Sequence, residues 1–220
     1  LEYDATDATL AAFDVRTRTF TFSEAKPGYR VNRTALQEDI LAALDEGAYD
    51  RVIVPKGEQV EPTITKSQLV GQFGLISSFT TTTTKDKDRN NNIEISAAAL
   101  NGRMVKPGDT MSFNDCTGQR TGEKGYREAG AIAGGVLVDD TGGGVCQTSS
   151  TLFNAVVRAD LEIVKRSAHS WPSSYVNKGE DATVNWPSLD FVFRNNGDYP
   201  VFVIAWYENQ TVTVQILSLI

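Results

Sequence analysis

Histidine is almost missing from this chain: His169 is the single one in 220 residues. Cysteine is nearly as scarce, with only Cys116 and Cys146. Zinc sites need several such ligands at short spacing, so the common ones are excluded and no metal or other cofactor is implied. No glycine-rich phosphate loop points to a nucleotide. There is no apolar run of about 18 residues that would span a bilayer. Positive charge is in deficit, with a net charge of −7, which argues against nucleic acid as a partner. What remains is an ordinary globular composition, 40% hydrophobic and 22% charged, long enough to bury a substantial core as one large or two smaller domains.

The pattern of elements predicts an α+β fold in two parts. Residues 1–65 read as a small α+β unit. Ala8–Phe13 and Arg18–Phe22 look like strands around a polar turn. Thr34 and Gln37 match a capping box before a helix whose face carries Ile40, Leu41 and Leu44 and which Gly47 ends. Arg51–Pro55 reads as a short strand, followed by turns at 56–62.

Residues 66–220 read as a larger domain in which a cysteine-bearing helix packs on a mostly antiparallel sheet. The threonine run Thr80–Thr84 suits either a linker or a strand. Lys85–Asn92 reads as a loop, with Asn92 capping the helix of Ile93, Ala97 and Leu100. Met111–Asn114 reads as a strand and Gly118–Gly135 as irregular loops. Strands are expected at Leu161–Lys165, Asp190–Arg194, Val201–Tyr207 and Thr211–Leu217, the last two as a closing antiparallel pair.

The stretch with the clearest chemistry is Gly142-Gly143-Gly144-Val145-Cys146-Gln147-Thr148-Ser149-Ser150-Thr151. Leu152, Phe153, Val156, Val157 and Leu161 continue it at helical spacing. Glycines permit close backbone approach and unusual dihedrals. A cysteine at a helix N-terminus meets unpaired amides and the positive dipole end, which favour the thiolate. Cys146 is therefore a candidate nucleophile, and His169 is the one base available to it. Order along the chain alone also permits a buried structural thiol, or a disulfide between Cys116 and Cys146 in an oxidising compartment.

Several blocks together resemble the VanW family of bacterial envelope proteins. They are Asn101-Gly102, Pro107-Gly108, Ser112-Phe113-Asn114, Gly118–Thr121, Gly125-Tyr126, Gly142–Thr151, Arg166 with His169-Ser170, Gly179–Val184, and Asp190 with Phe193-Arg194-Asn195. Residues 1–65 more weakly resemble the peptidoglycan-binding segment often placed before such a domain. The resemblance implies a peptidoglycan L,D-transpeptidase, which joins stem peptides through a cysteine acyl-enzyme. It implies the outer face of the bacterial cell envelope, stem peptides as partners, and a membrane anchor outside these residues.

In that reading Cys146 attacks and His169 carries the proton, with Asp181, Asp190 or a backbone carbonyl orienting the ring. Amides around Gly144–Gln147 hold the oxyanion. Arg120 and Arg166 either bind substrate carboxylates or make ordinary salt bridges. Gln147, Ser149 and Ser150 support the site, or the serines cap the helix. Tyr126 and Tyr175 line a groove or pack at a core edge. A cysteine peptidase or amidase with water as acceptor shares the same acyl-enzyme, and a non-catalytic peptidoglycan-binding module needs none of this chemistry.

Overall fold

The computed structural model describes residues 1–133 and 136–219. The chain forms two compact units, Leu1–Gln72 and Phe73–Ile220, so the division falls later than residue 65. The short helix after Pro62 stays with the first unit, where the Ala8 amide donates to the Ile64 carbonyl at 2.9 Å.

The first unit holds two small antiparallel pairs. Strands β1 (Leu10–Asp14) and β2 (Thr19–Phe22) form one. Strands β3 (Gly28–Val31) and β4 (Gly57–Val60) form the other. Helix α1 (Arg33–Asp45) lies between β3 and β4 in sequence, and α2 (Lys66–Leu69) follows β4. Three expectations are corrected here. Asn32, not Thr34, caps α1, its side chain accepting from the Ala35 amide at 2.9 Å. Ile40, Leu41 and Leu44 are exposed, and Ala43 is the residue of α1 that is buried. The expected strand at Arg51–Pro55 is coil, and the pairing falls on the expected turn, β4, because Asn32 donates its amide to Lys56 and sets the register.

The second unit is built on a four-stranded antiparallel sheet. Its order is β5 (Phe73–Thr82), β13 (Thr211–Leu219), β12 (Val201–Glu208) and β6 (Arg103–Val105). The threonine run is thus mostly strand, its β-branched side chains suiting a pleated surface. Asn209 and Gln210 both take left-handed dihedrals and join β12 to β13 as a two-residue hairpin turn. Helices α3 (Lys87–Leu100) and α5 (Val145–Arg158) pack on this sheet and on each other. Ile93, Ala97, Leu100, Leu152, Ala155 and Val156 meet Val203, Ala205, Val212, Val214 and Ile216 in the core. A second sheet orders β10 (Glu162–Lys165), β11 (Val192–Arg194) and β7 (Thr110–Ser112), with α4 (Phe113–Thr117) directly after β7. Phe191 and Phe193 are fully buried from that side.

Two further expectations change. Helix α3 starts at Lys87 under an Asp86 cap, so Asn92 is not a cap but a fully buried helical residue. Its amide group donates to the Arg127 and Gly143 carbonyls at 2.8 and 3.0 Å, and its oxygen accepts from the Arg127 amide. The stretch expected as irregular loops contains a 3-10 turn, Gly122–Lys124, and strand β8 (Glu128–Ala133), which pairs with β9 (Val136–Thr141). Small residues and glycine weaken the strand signal there; Gly134 and Gly135 lie outside the described residues.

The glycine triplet has a distinct reason at each position. Gly142 and Gly144 take φ of 93° and 102°, which side chains resist. Gly143 lies flat on β8, where a Cβ would sit 2.1 Å from the Ala129 carbonyl oxygen. Replacing Gly143 with Ala is expected to cost about 3 kcal/mol through overpacking. Gly108→Ala, at a positive φ with open space around it, is expected to cost about 1–2 kcal/mol. Urea unfolding of both variants measures the difference.

Candidate active site

Gly144 is the N-cap of α5, which makes Cys146 the second helical residue. The front of this helix is polar and yet buried: Gln147, Thr148, Ser149, Ser150 and Thr151 are all enclosed. Each has partners. Gln147 donates to Thr81 Oγ1 and the Thr82 carbonyl, both at 2.9 Å, and accepts from Arg89 at 2.8 Å. Ser96 donates to Thr148 at 2.8 Å, and Thr151 exchanges a hydrogen bond with Thr81 at 2.9 Å. Ser149 donates to the Ala182 carbonyl, and Ser150 accepts from the Ala182 amide at 2.9 Å. Gln147 and Ser149 are therefore internal struts with no surface for substrate, and neither serine caps α5.

The pair of bonds to Ala182 fixes the segment Asp181–Val184 along α5. The Val184 amide donates to Cys146 Sγ at 3.4 Å, the Val184 carbonyl lies 3.3 Å from it, and Thr183 Oγ1 lies 3.6 Å away. On the other side of Ala182, the Asp181 carboxylate receives His169. Its Oδ2 is 2.6 Å from Nδ1 and also accepts the His169 backbone amide at 2.6 Å. With Nδ1 committed, Nε2 is the ring nitrogen left for the thiol. The imidazole side chain is only 9% exposed.

The electrostatics follow from these surroundings. Burial pushes the Cys146 thiol up, but the His169 hydrogen bond, the Val184 amide, the imidazole charge and Thr183 outweigh it, and the net shift is downward. Burial likewise pushes His169 down, but Cys146 and Asp181 together raise it. Asp181 is held below its ordinary value, the His169 amide and ring overcoming burial. These directions agree with a thiolate–imidazolium pair backed by a carboxylate. Cys116 goes the opposite way, its thiol pushed up mainly by burial. Both cysteines are free.

The remaining candidates separate. Asp190 does not orient the ring: it accepts from Ser112 Oγ at 2.5 Å and from the Asn114 amide at 2.9 Å, bracing the start of α4. For Arg166 the structure shows the salt bridge. Arg166 donates to the Asp181 carbonyl and carboxylate and to the Gly179 carbonyl, at 2.6, 3.0 and 2.9 Å, and so holds the Asp181 loop. Tyr126 is buried rather than groove-lining. Arg120 is half-buried and donates to Asn114 Oδ1 at 2.8 Å. Tyr175 lies against Arg89, which sequence reasoning passed over because it fell in a stretch read as loop.

If the ion pair governs reactivity, iodoacetamide should alkylate Cys146 well below the pH of an ordinary thiol, about 8.5. His169→Gln should move the inflection of the pH–rate profile upward by at least about one unit. An unchanged profile would show that the imidazole is not the thiol's partner. Asp181 contributes stability above the ordinary carboxyl range, lost as pH falls through its depressed value. Acid unfolding of Asp181→Asn should therefore show a shallower loss of stability below about pH 4 than the parent chain.

A family model described as VanW like protein matches residues 88–217. The Bacillus subtilis protein named Uncharacterized protein YoaR is 48% identical over 113 residues, covering 51% of this chain and 37% of that protein. Vancomycin B-type resistance protein VanW of Enterococcus faecalis is 30% identical over 131 residues, covering 57% of this chain and 48% of that protein. The chain thus spans less than half the length of these curated relatives. No solved structure matches it significantly. The matched region holds Cys146, His169 and Asp181 and takes in more than half of the sequence, and on that match the chain belongs to the VanW-like family.

Proposed function

We propose that this chain is a cysteine acyltransferase that cross-links peptidoglycan stem peptides as an L,D-transpeptidase, at the outer face of the cell envelope. The observation that carries the reading is the Cys146–His169–Asp181 arrangement at the start of α5. The name of the enterococcal relative ties that protein to vancomycin resistance, which supports a wall substrate here.

The cycle uses these three groups in turn. The Cys146 proton passes to His169 Nε2, and Asp181 holds the resulting imidazolium. Sulfur attacks the carbonyl after the third residue of a donor stem. The Val145 and Gln147 amides already donate to Gly142 and Gly144, so among these the Cys146 amide is the better-placed oxyanion donor. As the carbon–nitrogen bond breaks, His169 returns the proton to the leaving amine, and a thioester remains. A side-chain amine of an acceptor stem then attacks the thioester. His169 takes the amine's proton as the thiolate departs.

Incubating the chain with purified disaccharide tetrapeptides and reading the products by mass spectrometry tests this. Dimers with loss of the fourth residue are expected, together with a covalent adduct on Cys146. Cys146→Ala should remove both, a loss of at least about 10³-fold in rate, while leaving the thermal midpoint within a few degrees. Trimmed monomers without dimers, under ample acceptor, would make the chain a hydrolase instead.

A further inference from the structure

Two arginines flank the glycine bend before Cys146. The Arg120 stem lies on Gly142, where a Cβ would come within 2.9 Å of Arg120 Cβ and Cγ. The Arg89 stem lies on Gly144, whose Cβ position is 2.6 Å from Arg89 Cγ. Both guanidiniums act electrostatically on Cys146. Among the described residues neither has a carboxylate within ion-pair distance, and Asp86 and Asp190 act on Arg89 and Arg120 only from farther away. Their bonded acceptors are neutral amide oxygens, Gln147 for Arg89 and Asn114 for Arg120.

This is an unfavourable way to spend positive charge. The start of α5 is already the positive end of a helix dipole. Arg120 Nη1 and the Tyr126 hydroxyl are enclosed without a hydrogen-bond partner among the described residues, and Tyr126 is only 4% exposed. A negatively charged acceptor would offset the guanidinium charge and pair Arg120 Nη1, and a carboxylate matches the planar fork of a guanidinium.

We propose that Arg89 and Arg120, backed by the Tyr126 hydroxyl, form a carboxylate-binding site at the entrance of α5 that receives an acidic group of the acyl donor beside Cys146. The inference rests on the acyl-transfer reading for its substrate, a peptide with a free carboxylate close to the scissile carbonyl. The site itself is a matter of charge and can be tested without turnover.

The probes are iodoacetate and iodoacetamide, which differ by one negative charge and alkylate the same sulfur. Alkylation of Cys146, followed by mass spectrometry of its peptide, gives a rate ratio that cancels any change in thiolate content. Arg89→Gln and Arg120→Gln should each lower the iodoacetate-to-iodoacetamide ratio by about tenfold, and the lysine variants should recover part of it. A ratio unchanged in both folded glutamine variants would overturn the proposal. Should one variant fail to fold by circular dichroism, the other still decides it. In the parent chain, N-acetyl-D-alanine should slow iodoacetamide alkylation more than its carboxamide does; equal effects would also count against the site. A chain that prefers iodoacetate yet forms no cross-links would lose the transferase reading and keep the anion site.

Discussion

The clasp between two serines of α5 and the peptide group of Ala182 is the contact on which the site depends. Ser149 donates to the Ala182 carbonyl, and Ser150 accepts from its amide. That exchange satisfies a buried backbone unit that belongs to no named strand. It also sets the position of its neighbours. Asp181, just before it, reaches His169, while Thr183 and Val184, just after it, reach the sulfur. The Thr183 amide adds a bond to the Ser167 carbonyl at 2.8 Å, tying the same segment to the stretch that carries the imidazole. Nucleophile and base lie on different parts of the chain, and one short segment gives both their second partner.

A helix with so polar a face can be enclosed only because its groups are paired. An unpaired buried hydroxyl or amide typically costs about 1–3 kcal/mol, so the five consecutive residues from Gln147 would destabilise the domain if left alone. The partners come from β5, α3 and the Ala182 segment, three elements distant in sequence. Such a network is intolerant of small shifts. It offers a physical reason for the cysteine to stand on this helix: a rigid, fully bonded platform keeps the sulfur in one position.

Much of the second unit was legible in the sequence because its signals were local. Apolar spacing marked α5, strand-prone runs marked β12 and β13, and the glycine run before Cys146 marked a close-packed bend. The pairing of Asp181 with His169 was one of three alternatives, beside Asp190 and a backbone carbonyl, and only geometry separated it from Asp190, whose carboxylate is taken by Ser112 and Asn114. Arg89 was invisible for a different reason. A polar run, 85–92, reads as loop when the partners of its buried Asn92, Arg127 and Gly143, lie far along the chain. For Arg166 the salt-bridge alternative could be seen only in the fold, which brings Gly179 and Asp181 to it. In the first unit the apolar residues of α1 point outward, so hydrophobic spacing misled where there was little core to bury it.

The segment Asp181–Val184 has a consequence for how this region can vary. Its residues are divided among three duties at successive positions, so chain length between Asp181 and Val184 is as constrained as residue identity. Inserting one residue there would preserve every side chain named above and still pull the acid away from its ring or the amide away from its sulfur. A stretch that carries no strand label thus has the fixed spacing of a ruler, and change is easier to accommodate beyond either end of it.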